Sequence, residues 1–179
     1  VADSQIVINP IQIPDHWPRL GGLDFGWDHP FAAVELAHDT DNDIIYLIRE
    51  YRASKKTPAE HCLVIGPKRW GRIRWAWPHD GMGHERGSGD QMIKLFKDEG
   101  LMTLPVHATW PDGSLSIEAG VSDMLTRMHQ GRWKVFNTCQ HWLEEFRLYH
   151  REDGLIVKEM DDLISASRYA RMMIRFARP

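Results

Sequence analysis

The chain has 179 residues, 42% of them hydrophobic, which suits one domain with its own core. A formal charge of −3 and a pI near 6.4 exclude a protein that holds nucleic acid by bulk positive charge, leaving only a local basic surface for that purpose. Two cysteines are too few for a disulfide framework, and there is no apolar run of membrane-spanning length, signal-peptide pattern or lipidation signal, so the expected setting is reducing and intracellular. The first residue is not Met, which reads as a fragment of a longer polypeptide or a processed product. With no GxxxxGK[ST] phosphate loop present, an ATPase motor would have to lie outside these residues.

Residues 1–18 contain three prolines and are expected to form an N-terminal arm or linker, with the domain proper over 19–179. Strands are expected at 20–25, 31–37 and 43–51, the last two joined by the polar hairpin HDTDND, which makes an antiparallel meander. A short helix follows at 57–65, with Thr57 as cap and Pro58 at the first helical position, where its missing N–H costs nothing. Alternating Ile73, Trp75 and Trp77 predict a fourth strand at 73–78, then come a helix at 88–99 closed by Gly100 and a fifth strand at 102–107. Helix crossovers make the late strands parallel.

The last third reads as mainly helical. Ile117, Val121, Met124, Leu125 and Met128 mark one face of a helix that stops at Gly131. Asn137, with Gln140 three residues on, predicts a capping box for a second helix carrying Trp142, Leu143, Phe146 and Tyr149. After an Asp153-Gly154 turn and the apolar run 155–157, a final helix runs from the Asp161-Asp162 pair through Arg175. Eight tryptophans are many for this length, and Trp27, Trp75, Trp77, Trp133 and Trp142 are expected in the core.

Three stretches place aspartates where hard divalent cations could be held: GLDFGWDHP around Asp24, IRWAWPHDG around Asp80, and EMDDLISASRYA around Asp161 and Asp162. Singly, Asp24 and Asp80 could simply begin turns, and Asp162 could cap a helix. Together they carry more weight, because a meander followed by a crossover strand sets strands one and four side by side with their C-terminal ends adjacent. A final helix starting at that edge would bring the acids together, and carboxylates so gathered raise one another's pKa until a cation relieves them.

The stretches LDFGWDHP, WPHDG and DDLISASRYA, the last with its RYA signature and the most specific, resemble the C-terminal nuclease domain of the large terminase subunit of tailed phages. The resemblance runs from about residue 19 to 177. It implies a ribonuclease H-like α/β fold: a mixed five-stranded sheet, three antiparallel strands and then parallel ones, flanked by helices. It also implies a metal-dependent DNA endonuclease that cuts concatemeric viral DNA during genome packaging, with two divalent ions, Mg²⁺ or Mn²⁺, held by Asp24, Asp80 and the Asp161-Asp162 pair. Asp24 would bridge the ions and Asp80 and Asp162 would each complete a shell, with Asp161 as outer ligand or water-positioning group; the two aspartates of the pair exchange roles if the helix begins one residue later. Where many relatives carry a further Asp three residues on, this chain has Ser165. The implied partners are double-stranded DNA, an ATPase domain in the full-length chain, a small terminase subunit and a portal protein, in the host cytoplasm and without a membrane, the isolated domain being monomeric. A junction resolvase or integrase core on the same fold, and a non-catalytic portal-docking module, are the competing readings.

Lys55, Lys56, Lys68, Arg69, Arg72 and Arg74 form a basic stretch that could follow a DNA backbone or be a solvated face. The glycine-rich loop 81–89 misses dinucleotide-binding spacing; His84 and Arg86 in it could reach a phosphate beside the acids. His61-Cys62 and Cys139-Gln140-His141 lack zinc spacing and read as buried cysteines with surface histidines.

Overall fold

The computed structural model describes residues 1–79, 89–148, 150–152, 155–157 and 161–179. In chain order its elements are β1 (Val7–Ile8), β2 (Arg19–Asp24), β3 (Phe31–Asp39), β4 (Ile44–Ala53), α1 (Pro58–Ile65), α2 (Pro67–Trp70), β5 (Trp75–Ala76), α3 (Gly89–Asp98), α4 (Ile117–His129), β6 (Trp133–Phe136), α5 (Gln140–Leu148), β7 (His150–Glu152), β8 (Leu155–Val157) and α6 (Asp162–Met172). Six strands form one mixed sheet in the order β1-β6-β4-β3-β2-β5, and β7 and β8 pair separately. β2, β3 and β4 make the expected antiparallel meander, and β5 joins β2 in parallel with Gly22 opposite Ala76. The fold is a mixed α/β sheet flanked by helices, as the sequence indicated.

Local chemistry explains several boundaries. Thr57 and Glu60 close a reciprocal capping box at α1, each at 3.2 Å, with Pro58 just inside the helix. Asp43, in the turn before β4, accepts from Arg127 Nη2 at 2.8 Å and so ties α4 to the meander.

Other elements differ from expectation. The strand expected at 102–107 shrinks to one parallel bridge, Trp75 with Thr103; Pro105 has no N–H to continue a ladder there. Instead β6 lies parallel beside β4, and β1 beside β6. The segment expected as an arm therefore contributes a sheet edge and a fully buried side chain, Ile6. Trp75, Trp77, Trp133 and Trp142 are buried as expected, but Trp27 is 45% exposed, carried out of the core by the loop between β2 and β3. His61 is buried, not a surface histidine, and its Nδ1 is 2.9 Å from the Tyr51 hydroxyl. The Asp153-Gly154 turn, Tyr149 and most of the glycine-rich loop lie outside the described residues.

Apolar side chains fill both faces of the sheet. On one, Val34, Leu47, Val135, Trp142, Leu163 and Ala166 pack among α4, α5 and α6. On the other, Leu23, Phe25, Phe31, Trp75, Ile93 and Phe96 pack under α1, α2 and α3. α6 lies directly across β2 and β3. It approaches so closely because Gly22 has no side chain: a Cβ there would overlap the Ala166 carbonyl and lie 2.7 Å from the Ala170 Cβ.

Gly22→Ala should accordingly lift α6 from the sheet and destabilise the chain by about 1–3 kcal/mol, the usual cost of overpacking. Urea unfolding, read as a lower midpoint at unchanged slope, checks this.

Candidate metal centre at the sheet end

Asp24 is the last residue of β2, and its side chain shares the face of Gly22, toward α6. It is 2% exposed, and its Oδ1 has no hydrogen-bond partner. Burial pushes its carboxyl well above the ordinary value of 3.8; Arg168 opposes this, while Asp162 and Asp161 push it higher. The first and last acidic stretches are thus brought together.

Asp161 occupies the N-cap position of α6 and Asp162 its first turn. The cap role that seemed the plain alternative for this pair is taken elsewhere. Glu145 Oε1, from α5, accepts the Leu163 N–H at 2.7 Å and the Ile164 N–H at 3.1 Å, and the Asp161 side chain accepts no first-turn N–H. Asp162 is buried and its carboxyl is raised, first by desolvation and then by Asp161, with Arg52 among the groups that oppose. Helical geometry pairs Ser165 with Asp161 rather than with Asp162: the Ser165 hydroxyl donates to Asp161 Oδ2 at 3.3 Å, an i,i+4 contact.

Four residues around this centre were given no role from sequence. Glu145 is fully buried, held by Arg52 Nη1 at 2.9 Å, and burial lifts its carboxyl to about 8 despite bonds from Ile164 and Arg52. Glu50, two residues before Arg52 on β4, takes the His141 and Trp142 N–H groups at 3.1 and 2.7 Å and caps α5, displacing the Asn137 capping box expected there. Arg168, inside the RYA stretch, is buried with Nη1 unpartnered, and Gly120 of α4 leaves room for its stem. The one sequence signal for Glu145 is a charge beside the apolar positions Trp142, Leu143 and Phe146.

Asp80 lies outside the described residues, as do His84 and Arg86. β5 runs parallel to β2 and leaves the sheet at the end that carries Asp24, and the Gly89 N–H meets the His79 carbonyl there at 2.9 Å. Among the described residues no three His, Cys, Asp or Glu side chains form a ready metal cage. The donor set still suits a hard cation, because Asp24 presents a buried carboxylate oxygen with no donor and carboxylates beside it.

The basic stretch divides. Lys55 and Lys56 follow the end of β4 at the sheet end of Asp24, where the Lys55 N–H meets the Trp27 carbonyl at 2.8 Å. Lys68, Arg69 and Arg72 precede β5 at the opposite end. Burial pushes the Cys62 and Cys139 thiols to about 11 and about 12, so neither is a thiolate at neutral pH.

A sheet of this topology with acids at the end of its first long strand and at the start of a helix lying across it defines a ribonuclease H-like domain. The chain belongs to the terminase RNaseH-like domain family, whose model matches residues 21–174. It is 46% identical over 99% of its length to the large terminase subunit of Salmonella phage P22, of which it spans 36%. The solved nuclease domain of the P22 large terminase superposes with a TM-score of 0.94 at 44% identity, covering 99% of this chain and 92% of that one. The large terminase nuclease domain of bacteriophage SPP1, solved with bound Mn, shares the fold at a TM-score of 0.66 and 19% identity, covering 94% of each chain.

The raised Asp24 carboxyl carries a sign. A folded-state pKa above the unfolded one means that the stability is full below the unfolded value and is lost as pH rises through the folded one. In EDTA, Asp24→Asn should therefore melt above the parent at neutral pH, by about 2–4 °C for each kcal/mol of relieved repulsion, and the gap should close as pH falls toward the ordinary value of 3.8. Thermal melts of both proteins across pH check it.

Proposed function

We propose that this domain is a divalent-metal-dependent DNA endonuclease, the cutting module of a phage packaging motor, acting on concatemeric viral DNA with little sequence preference. The observation that carries the reading is the buried carboxylate of Asp24, one oxygen of it unpartnered, beside an aspartate pair that another residue has freed from helix capping. Family membership supports it, as do a relative whose solved domain is a terminase nuclease and a more distant one of the same fold that binds Mn.

Asp24, Asp80 and Asp162 would hold two ions, Mg²⁺ or Mn²⁺, with Asp161 in the outer shell, and the ions would activate the attacking water and stabilise the leaving 3′ oxygen. Asp24 presents its free oxygen from a strand end that the sheet holds rigid. Ser165 orients Asp161 through its hydroxyl. Arg168 offsets the acids from the core side. Lys55 and Lys56 contact phosphates on the strand approaching this end of the sheet, and Arg86 extends that contact. An ATPase domain elsewhere in the full-length chain, a small terminase subunit and a portal protein complete the motor in the host cytoplasm. Among the described residues no helix is long and apolar enough to cross a membrane.

Supercoiled plasmid incubated with the chain should become nicked and linear in Mn²⁺ or Mg²⁺ and stay intact in EDTA. Asp24→Asn, Asp80→Asn and Asp162→Ala should fall to background, Asp161→Ala should lose about 10- to 100-fold, as outer-shell changes do, and Ser165→Ala should be mild. An intact plasmid in both metals, with the protein folded, overturns the reading.

DNA binding by the isolated domain should be weak and fall steeply between about 50 and 200 mM salt, because only local cations meet the phosphates. A fluorescence-anisotropy titration at several salt concentrations measures the slope.

A further inference from the structure

We infer that Glu145, braced by Arg52, is a positioning residue for the metal-binding end of α6; the inference rests on the metal-centre reading above and goes beyond it by naming what holds that centre in shape. A helix start leaves its first N–H groups unpaired, and a nearby side chain of its own usually caps them. Here two of those groups, at Leu163 and Ile164, are bound at 2.7 and 3.1 Å by a carboxylate from a different helix, 18 and 19 residues earlier in the chain. Asp161 and Asp162 immediately precede these N–H groups, so the Glu145 oxygen fixes where the aspartate pair begins.

A negative group at this place would add to the repulsion on Asp162. Arg52 opposes that, donating to the other Glu145 oxygen at 2.9 Å from the end of β4, and it also approaches Glu144 at 3.5 Å. The arrangement is a relay. Arg52 of β4 holds Glu145 on α5, and Glu145 caps α6; Glu50 of β4 caps only α5. The strand that pairs with β3 thereby sets the place of the acids that must meet Asp24 on β2. Both Glu145 oxygens are engaged, one by the α6 backbone and the other by the Arg52 guanidinium, so its effect on ions passes through the geometry of Asp161 and Asp162.

The test compares metal uptake with stability. Free Mn²⁺, counted by electron paramagnetic resonance, and the Mn²⁺ half-saturation of plasmid nicking are measured for the parent, Glu145→Ala, Glu145→Gln, Arg52→Gln and Glu50→Ala. Glu145→Ala should raise the half-saturating Mn²⁺ by about 10- to 100-fold, as loss of a supporting partner does. The rate at saturating metal should stay within a few-fold of the parent. Glu145→Gln keeps an oxygen for the N–H groups and should recover most of the affinity; Arg52→Gln should fall between. Glu50→Ala removes a comparable cap from α5 and should lower the melting temperature while moving the half-saturation far less. Without metal, hydrogen exchange at the Leu163 and Ile164 amides should quicken in Glu145→Ala. Should that variant not fold, Arg52→Gln decides through the same measurements. If the parent takes up Mn²⁺ and Glu145→Ala, or in its place Arg52→Gln, takes it up equally well, or if Glu50→Ala shifts uptake as far as Glu145→Ala, the inference falls and the metal-centre reading stands. A parent that takes up no Mn²⁺ overturns both.

Discussion

The contact on which the rest depends is the bare one between α6 and β2 at Gly22. A helix normally stands off a sheet by the depth of its side chains, but here helix and strand meet nearly backbone to backbone. That closeness lets the last residue of β2 and the first residues of α6 share one enclosed space, with Asp24 and Asp162 both buried. Acidic residues separated by well over a hundred positions in sequence become electrostatic neighbours because one position has no side chain.

Such an enclosure makes charge management the dominant local problem. Carboxylates leaving water lose hydration, and the aspartate pair raises the Asp24 carboxyl further, as Asp161 does that of Asp162. The chain supplies permanent counter-charges from two directions: Arg168 within α6 and Arg52 from β4. They leave Asp24 Oδ1 without a donor. A site compensated this far and no further leaves negative charge that a cation would offset, which is the physical sense of the proposed metal dependence.

Local rules made much of this legible. The meander, the α1 capping box and the strand end at Asp24 follow from alternation, from Thr57 with Glu60, and from a turn-forming GWDHP segment. The aspartate pair was visible as a helix start, and residue chemistry alone allowed it to be either cap or ligand. What takes the cap role from the pair, Glu145, is a charged residue on an amphipathic helix whose partners come from β4 and α6, and no spacing rule reaches across such distances. β6 was missed because Trp133–Phe136 is too short for alternation to show, and β1 because it is a strand only by virtue of β6. The segment after β5 went the other way: its composition suits a strand, but Pro105 interrupts the ladder.

One irregularity in the meander reaches further than its size suggests. Between Glu35 and Leu36 the pairing of β3 with β4 skips, so that Leu36 faces Leu47 while Glu35 faces Arg49, leaving Ile48 as the surplus residue. Before the skip, Ile45 and Leu47 look toward α6; after it, Glu50 and Arg52 do, opposite Val34 and Ala32. Uninterrupted alternation would have turned Arg49 and Tyr51 to that face and sent Glu50 and Arg52 to the other, out of reach of both helix starts. The one surplus residue thus absorbs the odd step: Leu47 and Arg49 occupy successive rungs of the ladder, and Glu50 and Arg52 keep the face of Leu47 only because Ile48 is looped out between them.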